Sequence, residues 1–297
     1  MIGPRGRRRV LFAVVVTVAV VAMMGPSSAR APLPLEVMTF NIRTAAGRDG
    51  DNAWPHRRAL LVETIERSAP HVIGMQEALG EQIDYLDEML PDYRWIGIDR
   101  GLNGGLGLSE ATPIFYRHAE LSPIESGNFW LTSTPDTPPV PRVAGRRRGG
   151  GRIVTWARLY HRGTGRDIYV FNTHFTLRRG QTQLDSADLI VARVAALPAG
   201  SATIVMGDFN NNAEASDTWQ AATSEGLRDA WTEAEERVGP IATYGAFGPP
   251  DEAPAERVDW ILVGGPISVQ RAETVVHNDG GRYPSDHYPV AARLLVQ

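Results

Sequence analysis

The 297-residue sequence has no cysteine and no lysine. Lacking cysteine, it has no thiolate nucleophile, no Cys-bound zinc and no disulfide staple. Lacking lysine, it has no phosphate-loop lysine, no Schiff base and no Ser–Lys catalysis. All 30 basic residues are arginine, which reads as a codon bias of the source, and the exclusions hold either way. There is also no long apolar run. The longest, Val10 to Met24, has 15 residues, short of the roughly 17–25 a spanning helix needs. No internal repeat of about 20–50 residues is found.

That run has the basic stretch Arg5 to Arg9 before it and the small residues Ser27-Ser-Ala29-Arg-Ala31 after it. Basic start, apolar middle and small-residue end describe a secretory signal, with cleavage after Ala29 or Ala31. An uncleaved anchor is the alternative, and Arg8-Arg9 faintly suggests a twin-arginine signal. The expected organisation is a signal or anchor over 1–31 and one domain over 32–297, exported and secreted or held at the cell envelope. Removing 1–31 takes five arginines and no acid, leaving 25 arginines against 34 acids, a net of −9. Sequence-independent nucleic-acid binding depends on basic residues that neutralise phosphates. Nucleic acid is therefore a permitted partner but not a favoured one, and a monomer is expected. With 43% hydrophobic and 22% charged residues, the rest is an ordinary globular composition.

Helical and strand patterns alternate, as in a mixed α/β domain. Leu35 to Asn41 and Val72 to Glu77 read as strands, Trp54 to Ala69 and Gln82 to Leu90 as helices, each of the two stopped by a proline. Strands are expected at Tyr93 to Ile98, Thr112 to Tyr116, Ile153 to Tyr160, Asp167 to Thr173, Ala202 to Gly207, Val258 to Val263 and Tyr288 to Leu295. Gln181 to Ala196 is the strongest helix pattern. Thr132 to Arg152, with Arg146-Arg-Arg-Gly-Gly-Gly151 inside it, reads as a surface loop, with a basic lid over an anionic substrate as the alternative. Gly101 to Gly107 matches no phosphate-cradle spacing and reads as a loop.

Polar residues recur at the ends of these strands: Asn41, Glu77, His174, Asp208 and Asn210, Asp259, and Asp286-His287. Strand ends meet at one sheet edge, where sites are built. Several acids gathered there repel one another unless a cation lies among them. Asp, Glu and Asn oxygens are hard donors that suit Mg²⁺ or Mn²⁺, while the zinc spacings His-x-x-His and His-Glu-x-x-His are absent. Taken singly, each residue has a bland explanation as a turn former, surface charge or strand start. Their joint occurrence in this order is the signal.

The series Thr39-Phe-Asn41-Ile-Arg, Gln76-Glu77, Asn172-Thr-His174-Phe, Gly207-Asp208-Phe-Asn210, Val258-Asp259 and Ser285-Asp286-His287-Tyr-Pro-Val resembles the motifs of the endonuclease/exonuclease/phosphatase superfamily, from about Leu35 to the C-terminus. The resemblance implies a four-layer α/β sandwich of two packed mixed β-sheets flanked by helices. It implies a metal-dependent phosphoric ester hydrolase. Glu77 would be the main Mg²⁺ ligand, with Asn41 beside it and Asp286 completing the metal site. Asp208 and Asn210 would position or activate the water and bind phosphate. His287, oriented by Asp259, would contact the scissile phosphate. His174 would be a second phosphate-binding or acid residue, and Glu110 is expected to pair with it. Trp54-Pro-His-Arg57-Arg58, Thr155-Trp-Ala and Tyr283 to His287 resemble an exported bacterial subgroup.

His56, His71, His118, His161 and His277 fall outside every motif and read as structural or surface. Trp54, Trp130 and Trp156 read as core, with Trp130 the one that could flank a cleft. The substrate expected is a phosphodiester or phosphomonoester met outside the cytoplasm. A phospholipid head group or DNA stands behind it. A non-catalytic binding module and a glycosidase are the readings from other classes, disfavoured by the intact motif set and by the His–Asp pairs.

Overall fold

The structure, a computed structural model, describes residues 31–100, 109–139, 151–252 and 254–297, together with 1 and 3. The apolar run 10–24, the stretch 101–107 and residues 140–150 of the arginine-rich segment lie outside the described residues. The contacts divide the chain into Met1–Arg30 and Ala31–Gln297, and the second unit carries every element below. Among the described residues no helix is long and apolar enough to cross a membrane.

The chain runs β1 (Leu33–Asn41), α1 (Trp54–Ser68), β2 (Val72–Gln76), α2 (Gly80–Met89), β3 (Tyr93–Ile96), β4 (Ile114–Arg117), β5 (Leu121–Trp130), β6 (Ile153–His161) and β7 (Arg166–His174). It continues with α3 (Gln181–Ala195), β8 (Ala202–Asp208), α4 (Asp217–Ala222), β9 (Arg228–Asp229), α5 (Ala230–Glu233), β10 (Glu236–Val238), β11 (Asp259–Gly264), β12 (Ile267–Thr274) and β13 (Val290–Val296). One mixed sheet has seven strands, in the order β10-β12-β13-β1-β2-β4-β3, and the other six, in the order β5-β6-β7-β8-β11-β9.

The two-residue alternation of the strands divides their side chains between two cores. Leu35 and Val37 of β1 join Val170, Ile204 and Ile261 in a core between the sheets. Met38 and Phe40 turn the other way, onto Leu61, Ile65 and Ile83 of α1 and α2. Phe171 and Val205 do the same for the second sheet, against Ile190 and Val191 of α3. Each fully buried Leu, Ile or Phe contributes about 1.5–3 kcal/mol. The result is the expected four-layer sandwich: helices, sheet, sheet, helices.

Four strands escape sequence reading: β9 and β10 are only two and three residues long, and β5 and β12 escape for other physical reasons. β5 carries Pro123 and Gly127, exposes its middle residues and shifts register between Pro123 and Glu125. It is an edge strand, where proline and bulges are tolerated. β12 shifts register between Val269 and Arg271, so its alternation breaks midway.

A buried polar network joins the sheets beneath the strand ends. Asn172 of β7 donates to the carbonyls of Met75 (2.7 Å) and Pro113 (2.8 Å). Its carbonyl oxygen accepts from Gln76 Nε2 at 2.7 Å, and Gln76 also donates to Thr39 Oγ1. Apart from Gln76 Oε1, which has no hydrogen-bond partner among the described residues, these buried polar groups are paired, and such pairing fixes one register where an apolar contact would allow several. Gly74 makes the room: a Cβ there would lie 2.7 Å from Asn172 Oδ1.

Candidate active site

All the motif residues reach one edge because of strand direction. β1, β2, β7 and β8 point their C-terminal ends there, delivering Asn41, Glu77, His174 and Asp208. β11 runs antiparallel to β8, with Asp259 opposite Asp208, so it begins where β8 ends. β13 is antiparallel to β1, which brings the preceding Asp286-His287 to the same edge. Gly207 allows the close approach of β8 to β7, since a Cβ there would lie 2.2 Å from the Thr173 carbonyl oxygen.

The edge opens into a cleft of about 660 Å³ lined by Glu77, His174, Asp208, Asn210, Asp286 and His287 among others. Fully buried Asn41 lies behind the lining, its amide donating to Asp208 Oδ2 (2.9 Å) and to Glu77 Oε1 (3.2 Å). The other Glu77 oxygen accepts from the Thr44 backbone N–H at 3.0 Å. Asp208 Oδ1 accepts from the Asn210 N–H at 2.8 Å. The non-glycine residues Arg43, Glu77 and Asn210 hold left-handed backbone, at φ 53, 62 and 51. Such conformations cost on the order of 1–3 kcal/mol each and persist where the surroundings over-determine them.

The two histidines differ in charge. His287 Nδ1 lies 2.8 Å from Asp259 Oδ2. A carboxylate only accepts, so Nδ1 carries the proton and Nε2 faces Asp208 Oδ2 at 3.9 Å. Burial opposes charge on His287, but Asp259, Asp208 and Asp286 outweigh it and raise its pKa well above the ordinary value. His174, with Nε2 3.4 Å from Asp208 Oδ2, is pushed well below by burial, by Arg152 and Arg100, and by His287. Asp208 is raised to about 7 by burial and then by the nearby Asp259 carboxylate. Burial, then Glu77, also raises Asp286 against the pull of His287.

One expected pairing is overturned. Glu110 forms an ion pair with Arg100 at 2.8 Å, and His174 meets Asp208 instead. A guanidinium within reach satisfies a carboxylate more strongly than a neutral imidazole does. Glu110 still lines the cleft, as a partner of Arg100. Trp130 is buried, at 6% exposure.

Sequence reading gave the individual arginines no site role. Arg57 is fully buried and donates to the carbonyls of Asn52, Ile42, Pro284 and Arg43, at 3.0, 2.7, 2.9 and 2.6 Å. It thereby clamps the loop after Asn41 to the loop before Asp286. Burial pushes it down to about 10, still charged at neutral pH. Its only signal was its place in Trp54-Pro-His-Arg57. Arg57→Leu is expected to destabilise by about 3 kcal/mol or more, because four buried carbonyls lose a charged donor. Chemical unfolding would check it, and a loss under about 1 kcal/mol would contradict the clamp. Arg43 binds Asp49 (2.8 Å) and reaches Asp286 (3.7 Å). Arg100 and Arg152 line the His174 side of the cleft. Tyr244, which no motif flagged, sets its ring edge-on to His287 at 5.1 Å.

Two groups could hold a cation. Glu77 and Asp286 form a carboxylate corner with Asn41 beside it. Asp208, Asp259 and His287 offer ligand atoms within 4.8 Å of one another.

With this arrangement in view, the comparisons with known proteins are direct. The endonuclease/exonuclease/phosphatase family profile matches residues 38–287, and the chain belongs to that family. It is similar to a solved endonuclease/exonuclease/phosphatase family protein of Bacteroides thetaiotaomicron, 27% identical, covering 91% of this chain and 97% of that one with a TM-score of 0.82. It is also similar to the mannosyl-6-phosphatase of that species, 27% identical, covering 88% and 99% with a TM-score of 0.78. Among curated proteins it is 26% identical over 171 residues to the uncharacterized protein L388 of Acanthamoeba polyphaga mimivirus. That match covers 54% of this chain and 60% of the viral protein.

Proposed function

We propose that this protein is a divalent-metal-dependent hydrolase of phosphate esters that acts outside the cytoplasm. The observation that carries the reading is the His287–Asp259 pair facing the Asp208 carboxylate, 3.9 Å from His287 Nε2, at the floor of an open cleft. A raised acid and a charged imidazole at that spacing can hold a water on one side and a phosphate oxygen on the other.

The residues fit a hard cation. Glu77 and Asp286 both line the cleft, and the pKa of Asp286 rises through its own burial and then because Glu77 is near. Oxygen donors there suit Mg²⁺ or Mn²⁺. The alternative trio is less apt for such a cation, since one of its three donors is an imidazole nitrogen where a hard cation takes oxygens. A metal ion held by Glu77 and Asp286 would supply Lewis-acid stabilisation of charge on the phosphate oxygens, with Asn41 holding the Glu77 carboxylate through its amide N–H. Asp208, fixed by Asn41 and the Asn210 N–H, accepts the proton of the attacking water. The water oxygen bonds to phosphorus as the ester oxygen leaves with its electron pair. His287 donates from Nε2 to a phosphate oxygen, and Asp259 keeps its ring in register. Neutral His174 lines the phosphate side, and the leaving oxygen ends protonated. The products are an alcohol and a phosphate.

Export is supported by the basic, apolar and small-residue order of residues 1–31. The solved mannosyl-6-phosphatase supports ester hydrolysis. A phospholipid head group is the second reading, favoured by the exposed Leu177 at the cleft mouth, 76% accessible. The test is a panel of p-nitrophenyl phosphate, bis-p-nitrophenyl phosphate, inositol phosphates, sphingomyelin and plasmid DNA, each with Mg²⁺ and with EDTA. Mg²⁺-dependent cleavage of a soluble ester, abolished by EDTA, is expected. Cleavage of sphingomyelin alone favours the second reading. Silence on every substrate by folded, metal-bound protein refutes the hydrolase.

A further inference from the structure

The His174 wall of the cleft holds two guanidiniums and two acids, Glu110 and the Glu77 already placed at the metal corner. Arg100 and Arg152 both line it, and Glu110 is committed to Arg100 at 2.8 Å. Arg152 Nη1 is buried and, among the described residues, has no hydrogen-bond partner. Its backbone is anchored, since the Arg152 carbonyl accepts from the Leu131 N–H at 2.7 Å immediately before β6. Burial and the neighbouring Arg100 push it down to about 10, against the pull of Glu110, Asp208 and Glu77. It therefore stays cationic at neutral pH and lies in the field of the acids on both sides of the reaction centre. A desolvated cation with a spare donor, next to a second cation, is costly unless an anion comes to it.

We propose that Arg152, with Arg100 beside it, is an anion-binding wall that makes this site selective for dianionic phosphate monoesters over diesters. The proposal rests on the phosphate-ester reading above and narrows it. A monoester has three non-bridging oxygens and close to two negative charges, where a diester has two such oxygens and one charge. The third oxygen is the one that a spare, forked guanidinium donor meets. In the reaction, water adds its oxygen to phosphorus and the P–O bond to the alcohol breaks. One water proton goes to Asp208 and passes from there to the leaving oxygen, the other stays on the phosphate, and inorganic phosphate is released against the arginine wall. Inorganic phosphate therefore binds as product at the same place.

The experiment compares wild type, Arg152→Gln and Arg152→Lys on p-nitrophenyl phosphate and methyl p-nitrophenyl phosphate, which share a leaving group. Thermal shift by inorganic phosphate, with Mg²⁺ present, is the readout independent of turnover. Wild type is expected to prefer the monoester. In Arg152→Gln the monoester-to-diester ratio of kcat/KM falls about tenfold or more, the loss of one charge-assisted donor. Arg152→Lys restores part of the ratio, because it keeps charge without the fork. The phosphate-induced shift disappears in Arg152→Gln. Equal falls on both esters, or a wild type that prefers the diester, overturn the proposal. If wild type cleaves neither ester, the hydrolase reading fails. The phosphate shift then still decides the wall: its loss in Arg152→Gln supports it, and its persistence there or absence in wild type overturns it.

Discussion

His287→Gln is expected to lower kcat by about 10³-fold, with Mg²⁺ affinity nearly unchanged. Glutamine keeps much of the volume but removes the cation held opposite Asp208. His287 owes its charge to three surrounding carboxylates, Asp259, Asp208 and Asp286, and no neutral side chain can supply that charge to a phosphate oxygen. The variant also strands Asp259, whose Oδ1 already lacks a hydrogen-bond partner among the described residues. Pairing the change with Asp259→Asn removes the stranded charge. Groups that act as a unit are non-additive, so the double variant should turn over little more slowly than His287→Gln alone. Steady-state kinetics on the best ester of the panel check both points. A His287→Gln enzyme within about tenfold of wild type would remove this residue from the chemistry.

Glu77→Gln is expected to raise the Mg²⁺ concentration for half-maximal activity by about 10- to 100-fold, with activity partly rescued as Mg²⁺ rises. The amide keeps the shape and the left-handed backbone at φ 62 but takes a full charge from the Glu77–Asp286 corner. It also weakens the contacts of Asn41 and of the Thr44 N–H with this side chain. Rescue by metal distinguishes lost ligation from damaged structure, because a misfolded site does not respond to Mg²⁺. Titrating Mg²⁺ against rate, with calorimetry of Mg²⁺ binding, would decide it. Unchanged metal affinity in Glu77→Gln would move the cation to the Asp208, Asp259 and His287 group.

The order of residues alone specified much of this. Asn41, His174 and Asp208 are the last residues of their strands and Asp259 the first of its own, and a strand end is legible locally from an apolar run that stops at a polar residue. The β-rich run at Leu35 to Asn41 likewise foretold a strand, but not that Met38 and Phe40 would bury its second face. Absent cysteine and lysine narrowed the chemistry before any fold was known. What tertiary structure decided was partnership. Asn41 finds Asp208 across 167 positions, and Arg57 finds the Pro284 carbonyl across 227. Glu110 turned to Arg100 and left His174 to Asp208. The spare donor on Arg152 exists because its Nη1 is buried without a hydrogen-bond partner among the described residues. Local sequence sets what each side chain can do and which way its strand presents it. Which group it meets, and at what charge, depends on distances and desolvation that arise only when strands remote in sequence pack together.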